Sequence, residues 1–420
     1  GDEGAIEVQE GWEQRNVGLD ERVPFTWVDL AALPATEQGE TIEALTARLQ
    51  ASLDLSHGPL LRVAYFDLGP EHPARLFIVI HHLAVDGVSW RILLEDLQTL
   101  YQQLSRGEPA RLPPKTTSFR HWARRLVEYA QTDEVRQELA YWLEVPSDGA
   151  ARLPVDRPGG ANTEASARSV TVALSPEETQ ALLQEVPAAY RTEINDALLT
   201  ALAQAVARWT GSPTLLVALE GHGREDLFDD VDLSRTVGWF TTLYPVRLDL
   251  TGIYDPGEAL KAVKEQLRRV PRRGIGYGLL RYLSQDRETV ERLRALPTPE
   301  ISFNYLGQLD QAVPEGSPFG PAPESGGPAH SPRGKRSHLL EINGVIAGGR
   351  LQLEWTYSEN LHHRSTIERL AQDFIEALRA IIAHCQSPDA VGYTPSDFAE
   401  FEWDQEDLDD IMAAISEAMG

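Results

Sequence analysis

The chain has 420 residues, 42% of them hydrophobic, with 64 acidic against 38 basic side chains and a net charge of −26. That length exceeds one comfortable core and points to two lobes, while the acidic excess disfavours nucleic acid and anionic membrane as main partners. No run approaches the ~18 apolar residues of a membrane helix, the opening GDEGAIEVQEGW lacks a secretory pattern, and Cys385, the single cysteine, leaves no internal disulfide; a cytoplasmic, monomeric protein with a buried structural thiol is expected.

In chain order, a helix is predicted from about Thr41 to Leu53, then neighbouring strands Leu61 to Leu68 and Ala74 to His82 joined by a Gly/Pro turn. A helix begins near Val88, and amphipathic helices follow around Ser118 to Tyr129 and Val135 to Leu143. The segment VDRPGGANT, Val155 to Thr163, has the composition of a linker. It separates an N-terminal lobe, residues 1–155, from a C-terminal lobe, residues 164–395. There the alternation returns: strand Ser169 to Leu174, a short helix, a helix from about Asn195 to Trp209, and strand Thr214 to Leu219. Strands Thr242 to Leu250 and Glu300 to Tyr305, a hairpin from Leu339 to Tyr357, and a long helix over roughly Ser365 to His384 complete the lobe. Interleaved strands and helices, many strands joined as hairpins, make the class α/β with sandwich lobes and mixed sheets. The Pro/Gly/Ser-rich residues 312–336 are expected to cross between lobes or cover a site. Residues 396–420 read as an acidic C-terminal docking or linker helix, with Leu408, Ile411, Met412, Ile415 and Met419 at helical spacing.

The most informative stretch is ARLFIVIHHLAVDGVSW, residues 74–90, in which an apolar strand delivers two histidines to the mouth of a sheet. Successive strand residues point to opposite faces, so only one of His81 and His82 serves a given substrate. Asp86 occupies the N-cap of a helix whose Leu93, Leu94, Leu97, Tyr101 and Leu104 recur at helical spacing. The positive end of that helix faces the histidines and favours a neutral imidazole, the form that accepts a proton.

A second constellation follows the apolar run Leu215 to Leu219: Glu220-Gly221-His222-Gly223-Arg224-Glu225. A carboxylate at the end of a buried strand, flanked by glycines that admit another backbone or a ligand, suits a tuned acid or base. Partial burial would raise the pKa of Glu220, and Arg224 would oppose that. Gly276-Tyr277-Gly278 belongs to no GxGxxG motif and is assigned to helix initiation and packing. No metal site is expected, because His81 and His82 are adjacent and neither an HExxH nor a cysteine cluster occurs.

These two segments, with RTVGWFTTLYPV from Arg235 to Val246, PRRGIGYG from Pro271 to Gly278 and ISFNYLGQ from Ile301 to Gln308, occur in an order that resembles the epimerization domains of nonribosomal peptide synthetases. Those domains belong to a superfamily that includes condensation domains and chloramphenicol acetyltransferase; HHxxxDG, here His81, His82, Asp86 and Gly87, is its shared signature. The resemblance implies two chloramphenicol-acetyltransferase-like lobes in a V around an active-site cleft. It also implies L-to-D epimerization at the α-carbon of an aminoacyl or peptidyl thioester, carried on the 4'-phosphopantetheine of an upstream peptidyl carrier protein, with no cofactor of the chain's own. His82 and Glu220 would flank the α-carbon. His81, Asp86 and Gly87 would be structural, with Asp86 salt-bridged to Arg224 or Arg235, and Asn304 and Tyr305 would donate hydrogen bonds to the thioester region. An LTPIQ-like opening and an HHDALR-like segment, usual in these domains, are not found ahead of Gly11-Trp12, so part of the first lobe is expected to be missing. By the same resemblance the C-terminal helix would hand cargo to a downstream synthetase subunit. Two rivals stay open: a condensation domain, in which the same histidine helps an amine attack a thioester, and a catalytically silent docking domain.

Overall fold

The computed structural model describes residues 14–15, 23–146, 152–308, 317–388, 390–398, 405, 407 and 408. Strand β1 (Phe25–Asp29), helix α1 (Ala35–Ala51), β2 (Leu61–Asp67) and β3 (Arg75–Ile80) come first. They form a three-stranded sheet in the order β1-β2-β3, with β1 parallel and β3 antiparallel to β2. Leu30, Ile42, Ala64, Phe66 and Leu68 are its buried cluster. Helix α1 starts earlier than its apolar periodicity indicates. Its first turn has no side-chain N-cap; instead the Gln38 amide donates to the carbonyls of Leu30, Leu33 and Leu68 at 3.1, 3.3 and 3.3 Å.

Helices α2 (Gly87–Ser105), α3 (Phe119–Tyr129), α4 (Asp133–Arg136) and α5 (Leu139–Glu144) follow. The helix expected over Val135 to Leu143 is thus two short helices. Between them Glu138 is drawn inward, accepting from Trp142 Nε1 at 3.0 Å and pairing with Arg272. Beyond lie β4 (Ala167–Ala173), α6 (Pro176–Tyr190), α7 (Ile194–Thr210), β5 (Thr214–Gly221) and β6 (Thr242–Asp249). Then come α8 (Pro256–Arg268), α9 (Ile275–Gly278), α10 (Arg287–Arg294), β7 (Ile301–Gln308), β8 (Leu340–Ala347), β9 (Arg350–Ser358) and α11 (Arg364–Cys385). Helix α6, expected to be short, runs 15 residues because Ser175 and Glu178 close a capping box with Pro176 in the first turn.

The second sheet has six strands in the order β4-β9-β8-β7-β5-β6, parallel at β5/β7 and β7/β8 and antiparallel elsewhere. The fold is therefore α/β with mixed sheets. Alternation sorts the strands: Ile301, Phe303, Leu340, Ile342, Leu351, Leu353 and Trp355 enter a core shared with Leu198 and Leu202 of α7 and Phe374 and Leu378 of α11. The opposite face is polar, with Ser302, Asn304, Glu341, Asn343 and Glu354 at the alternate positions. A polar side chain on this face can meet solvent without opening the core. Cys385 is a buried free thiol, pushed up to about 11 by burial.

Residues 324–326, in the stretch expected to cross or cover a site, reach the small sheet. Glu324 pairs with Arg75 at 2.7 Å, the Ser325 amide donates to Glu43 at 2.9 Å, and Gln50 donates to the Gly326 carbonyl. Among the described residues no helix is long and apolar enough to cross a membrane. Of the expected C-terminal helix face, Ile411, Met412, Ile415 and Met419 lie outside the described residues, as do Gly11 and Trp12. Leu408 is described and only 1% exposed, so this face residue is covered by the chain itself.

Candidate active site

Strand β3 stops at Ile80, short of the His82 end that the sequence pattern places. The His81 amide donates to the Leu60 carbonyl at 2.8 Å, its Nδ1 accepts from Leu83 N at 3.2 Å, and residues His82–Ala84 wind into a 3₁₀ turn. His81 is thereby committed to the turn. His82 is exposed, and its ring lies beside that of Trp239, centroids 5.1 Å apart and planes tilted by 58°.

Asp86 caps α2 as its position predicts, accepting from Ser89 N at 2.7 Å. Its carboxylate, 3% exposed, does more than cap. Oδ1 also accepts from Arg224 Nη2 at 3.1 Å and Oδ2 from Phe240 N at 3.1 Å. Arg224 in turn donates to the Leu233 and Thr236 carbonyls at 2.9 and 2.8 Å and lies 3.9 Å over the Phe240 ring. Of the two arginines expected for Asp86, Arg224 is the partner. Arg235 pairs instead with Glu95 and Asp96 further along α2, stapling the same loop to the same helix. Gly87 is exposed, and a Cβ there would meet nothing within 4 Å, so close packing is not what places a glycine at this position.

Glu220 ends β5. The parallel register that sets Leu219 opposite Phe303 brings Asn304 alongside it, and Asn304 Nδ2 donates to Glu220 Oε2 at 2.6 Å. Water reaches the carboxylate, yet protein surrounds most of it, and this partial loss of hydration pushes its pKa above the ordinary value of 4.5. His82 counters the shift and Glu341 adds to it. Arg224, expected to oppose the shift, is turned away into the Asp86 pair. The glycines behave as expected: Gly223 has φ 67°, and a Cβ on it would fall 1.7 Å from the Phe240 carbonyl oxygen. Asn304, expected to reach a thioester, holds Glu220 in this structure; Tyr305 is half-buried against the large core, which pushes its phenol up.

Two groups result: Glu220 held by Asn304 and feeling the charge of His82, and Asp86 paired with Arg224. Sequence reading assigned no role to Ser89, Trp239 or Glu341. Glu341 left one trace, an acid at a non-core position of an alternating strand; Ser89 and Trp239 left only their motif neighbours. Gly276-Tyr277-Gly278 packs as expected, Tyr277 lying 5.3 Å from Trp142. Among the described residues no group of His, Cys, Asp and Glu is placed to hold a metal ion.

The family described as Condensation domain matches residues 8–401. The chain is 54% identical over 404 residues to a linear gramicidin synthase of Brevibacillus parabrevis, a match that covers 96% of this chain and 5% of that protein. It is 48% identical over 411 residues to chondramide synthase cmdD of Chondromyces crocatus, covering 97% of this chain and 10% of that one. The chain therefore spans a small fraction of these relatives' length. Among solved structures it resembles the epimerization domain from the third module of tyrocidine synthetase B, with 40% identity and a TM-score of 0.79 over 87% of this chain and 80% of the other. A family match over nearly the whole chain, on an α/β fold with mixed sheets, means that this protein belongs to the condensation-domain family of nonribosomal peptide synthetases.

Proposed function

We propose that the chain epimerizes an aminoacyl or peptidyl thioester, L to D at the α-carbon, while the substrate hangs from the 4'-phosphopantetheine of an upstream peptidyl carrier protein. The observation that carries this reading is the pairing of two proton-transfer groups in one site: the imidazole of His82 and the pKa-raised carboxylate of Glu220, close enough to feel each other's charge. Aminolysis of a thioester needs one base. Inversion needs a base on one side of the α-carbon and an acid on the other. One residue breaks the Cα–H bond and takes the proton, the electron pair moves into an enolate conjugated with the thioester, and the other residue returns a proton to the opposite face. The likeness to an epimerization domain supports the same reading.

In this reading the cargo's carrier supplies the phosphopantetheine, and the chain needs no cofactor. Residues 1–155 and 164–395 act as the two lobes, 396–420 connects to a downstream subunit, and the protein works as a cytoplasmic monomer. Incubation with an L-aminoacyl carrier in D₂O tests it. Deuterium at the α-carbon and a mixture of D and L acids on release are expected, and His82→Ala and Glu220→Gln each lose about 10²- to 10⁴-fold in exchange. A peptide bond to an added acceptor without α-exchange would make the chain a condensation domain, and neither product would leave a docking domain.

A further inference from the structure

Among the described residues nothing hydrogen-bonds the His82 imidazole; its ring contact is with Trp239. That contact is built, because the backbone on both sides of Trp239 is pinned to the turn that follows His82. Gly238 N donates to Ser89 Oγ at 3.1 Å, Ser89 Oγ donates to the Gly238 carbonyl at 2.9 Å, and Phe240 N donates to Asp86 at 3.1 Å. Ser89 is fully buried. A Cβ on Gly238 would lie 2.4 Å from the Phe119 ring, so the loop seats against α3 as closely as a backbone can. Trp239 itself remains 40% exposed while Phe240 beside it is buried. A clamp of this kind around a half-open indole does not serve the core. It fixes where the indole stands relative to His82.

We propose that Trp239 is a positioning residue that holds the His82 imidazole at its working angle and stabilises the imidazolium formed when His82 carries the proton. This rests on the epimerase reading, in which the two groups exchange protonation states with each turnover, so that His82 is cationic in one of the two. The face of an aromatic ring attracts a cation held within about 6 Å of its centroid, and a loosely held base loses the near-attack geometry that makes its proton transfer fast.

The test compares Trp239→Leu and Trp239→Phe on the full chain. For α-proton exchange from an aminoacyl carrier, Trp239→Leu is expected to lose about 10- to 100-fold in kcat with KM within about twofold, whereas Trp239→Phe stays within about fivefold of wild type. Independently of turnover, the His82 ring-proton resonances, identified by their loss in His82→Gln, carry the ring-current displacement of a neighbouring indole. They move toward free imidazole in Trp239→Leu and keep part of the displacement in Trp239→Phe. Wild-type kcat in Trp239→Leu, or His82 resonances unmoved by it, overturns the proposal. Absence of exchange in the wild-type protein overturns the epimerase reading instead, and the resonances then decide whether Trp239 positions His82.

Discussion

Replacing Asp86 by alanine removes an acceptor that serves three donors, one on α2 and two on the β5–β6 loop: Ser89 N, Arg224 Nη2 and Phe240 N. Loss of an N-cap alone costs about 0.5 to 2 kcal/mol. Breaking a buried ion pair costs more, about 3 to 5 kcal/mol, because the remaining charge stays buried without its counter-ion. Arg224 keeps the Leu233 and Thr236 carbonyls and its place over Phe240, and the two effects share one side chain, so they do not add. A loss of about 3 to 5 kcal/mol is therefore expected. With an unfolding entropy of about 2.1 cal/mol/K per residue, a chain of this length unfolding as one unit drops its Tm by about 3 to 6 °C. Asp86→Asn, which preserves the cap but not the charge, should fall between alanine and wild type. The measurement is calorimetry on each variant, paired with α-deuterium uptake at a temperature where all are folded. Because the clamp on Trp239 hangs from the same carboxylate, uptake should fall together with Tm. Uptake abolished at an unchanged Tm would mean that Asp86 touches the substrate, and the structural reasoning would fail.

Three further outcomes are expected. Burial holds the pKa of Glu220 above its ordinary 4.5, so its contribution to stability is greatest below about 4.5 and is lost as pH rises through the folded value. Glu220→Gln escapes that loss, and its Tm relative to wild type should be higher at pH 7 than at pH 4; an unchanged difference would show that burial does not perturb the carboxylate. Asn304→Leu deletes the donor that favours the ionised form of Glu220, so the acidic limb of the exchange rate should move to higher pH, and a profile that stays in place would sever Asn304 from the acid–base pair. Gly238→Ala must displace either the Phe119 ring or the Trp239 loop; it should lower α-exchange well beyond any change in Tm, whereas wild-type exchange would show the loop to be free to yield.

The elements that carry strong local signals were legible in the chain. The cap at Asp86 followed by apolar helical spacing, the hairpin closed at Gly348-Gly349 between Ala347 and Arg350, and the apolar run ending at Glu220 each state their geometry within a few residues. What lay beyond reach depends on partners distant in sequence. The strand order β4-β9-β8-β7-β5-β6 is chosen by how α7 and α11 cover one face, not by any strand alone. Local patterning likewise extended β3 through His82, because nothing within the strand announces that the Leu60 carbonyl and the Leu83 amide will draw His81 into a turn. Arg224 and Arg235 were equal candidates for Asp86 for the same reason. Their difference is burial: Arg224 stacks on Phe240, with a side chain 9% exposed, while Arg235 meets the carboxylates of Glu95 and Asp96 nearer the surface.

The distribution of tethers in the site also separates rigidity from chemistry. Asp86, Arg224 and Ser89 each make several contacts, and these join the N-terminal end of α2 to the β5–β6 loop. Among the described residues His82 and Glu220 have few: one ring for the imidazole and one amide for the carboxylate. A base and an acid that must each gain and lose a proton in turn are best served by few hydrogen bonds, since a bond that favours the ionised form makes the neutral form correspondingly harder to reach. Precision then has to come from the layer beneath, where Asp86 and Arg224 pair with each other. Substitution at His82 or Glu220 should accordingly spare the contacts that hold these segments together, whereas substitution at Asp86 should lower Tm, because Ser89 N, Arg224 and Phe240 N lose their shared acceptor.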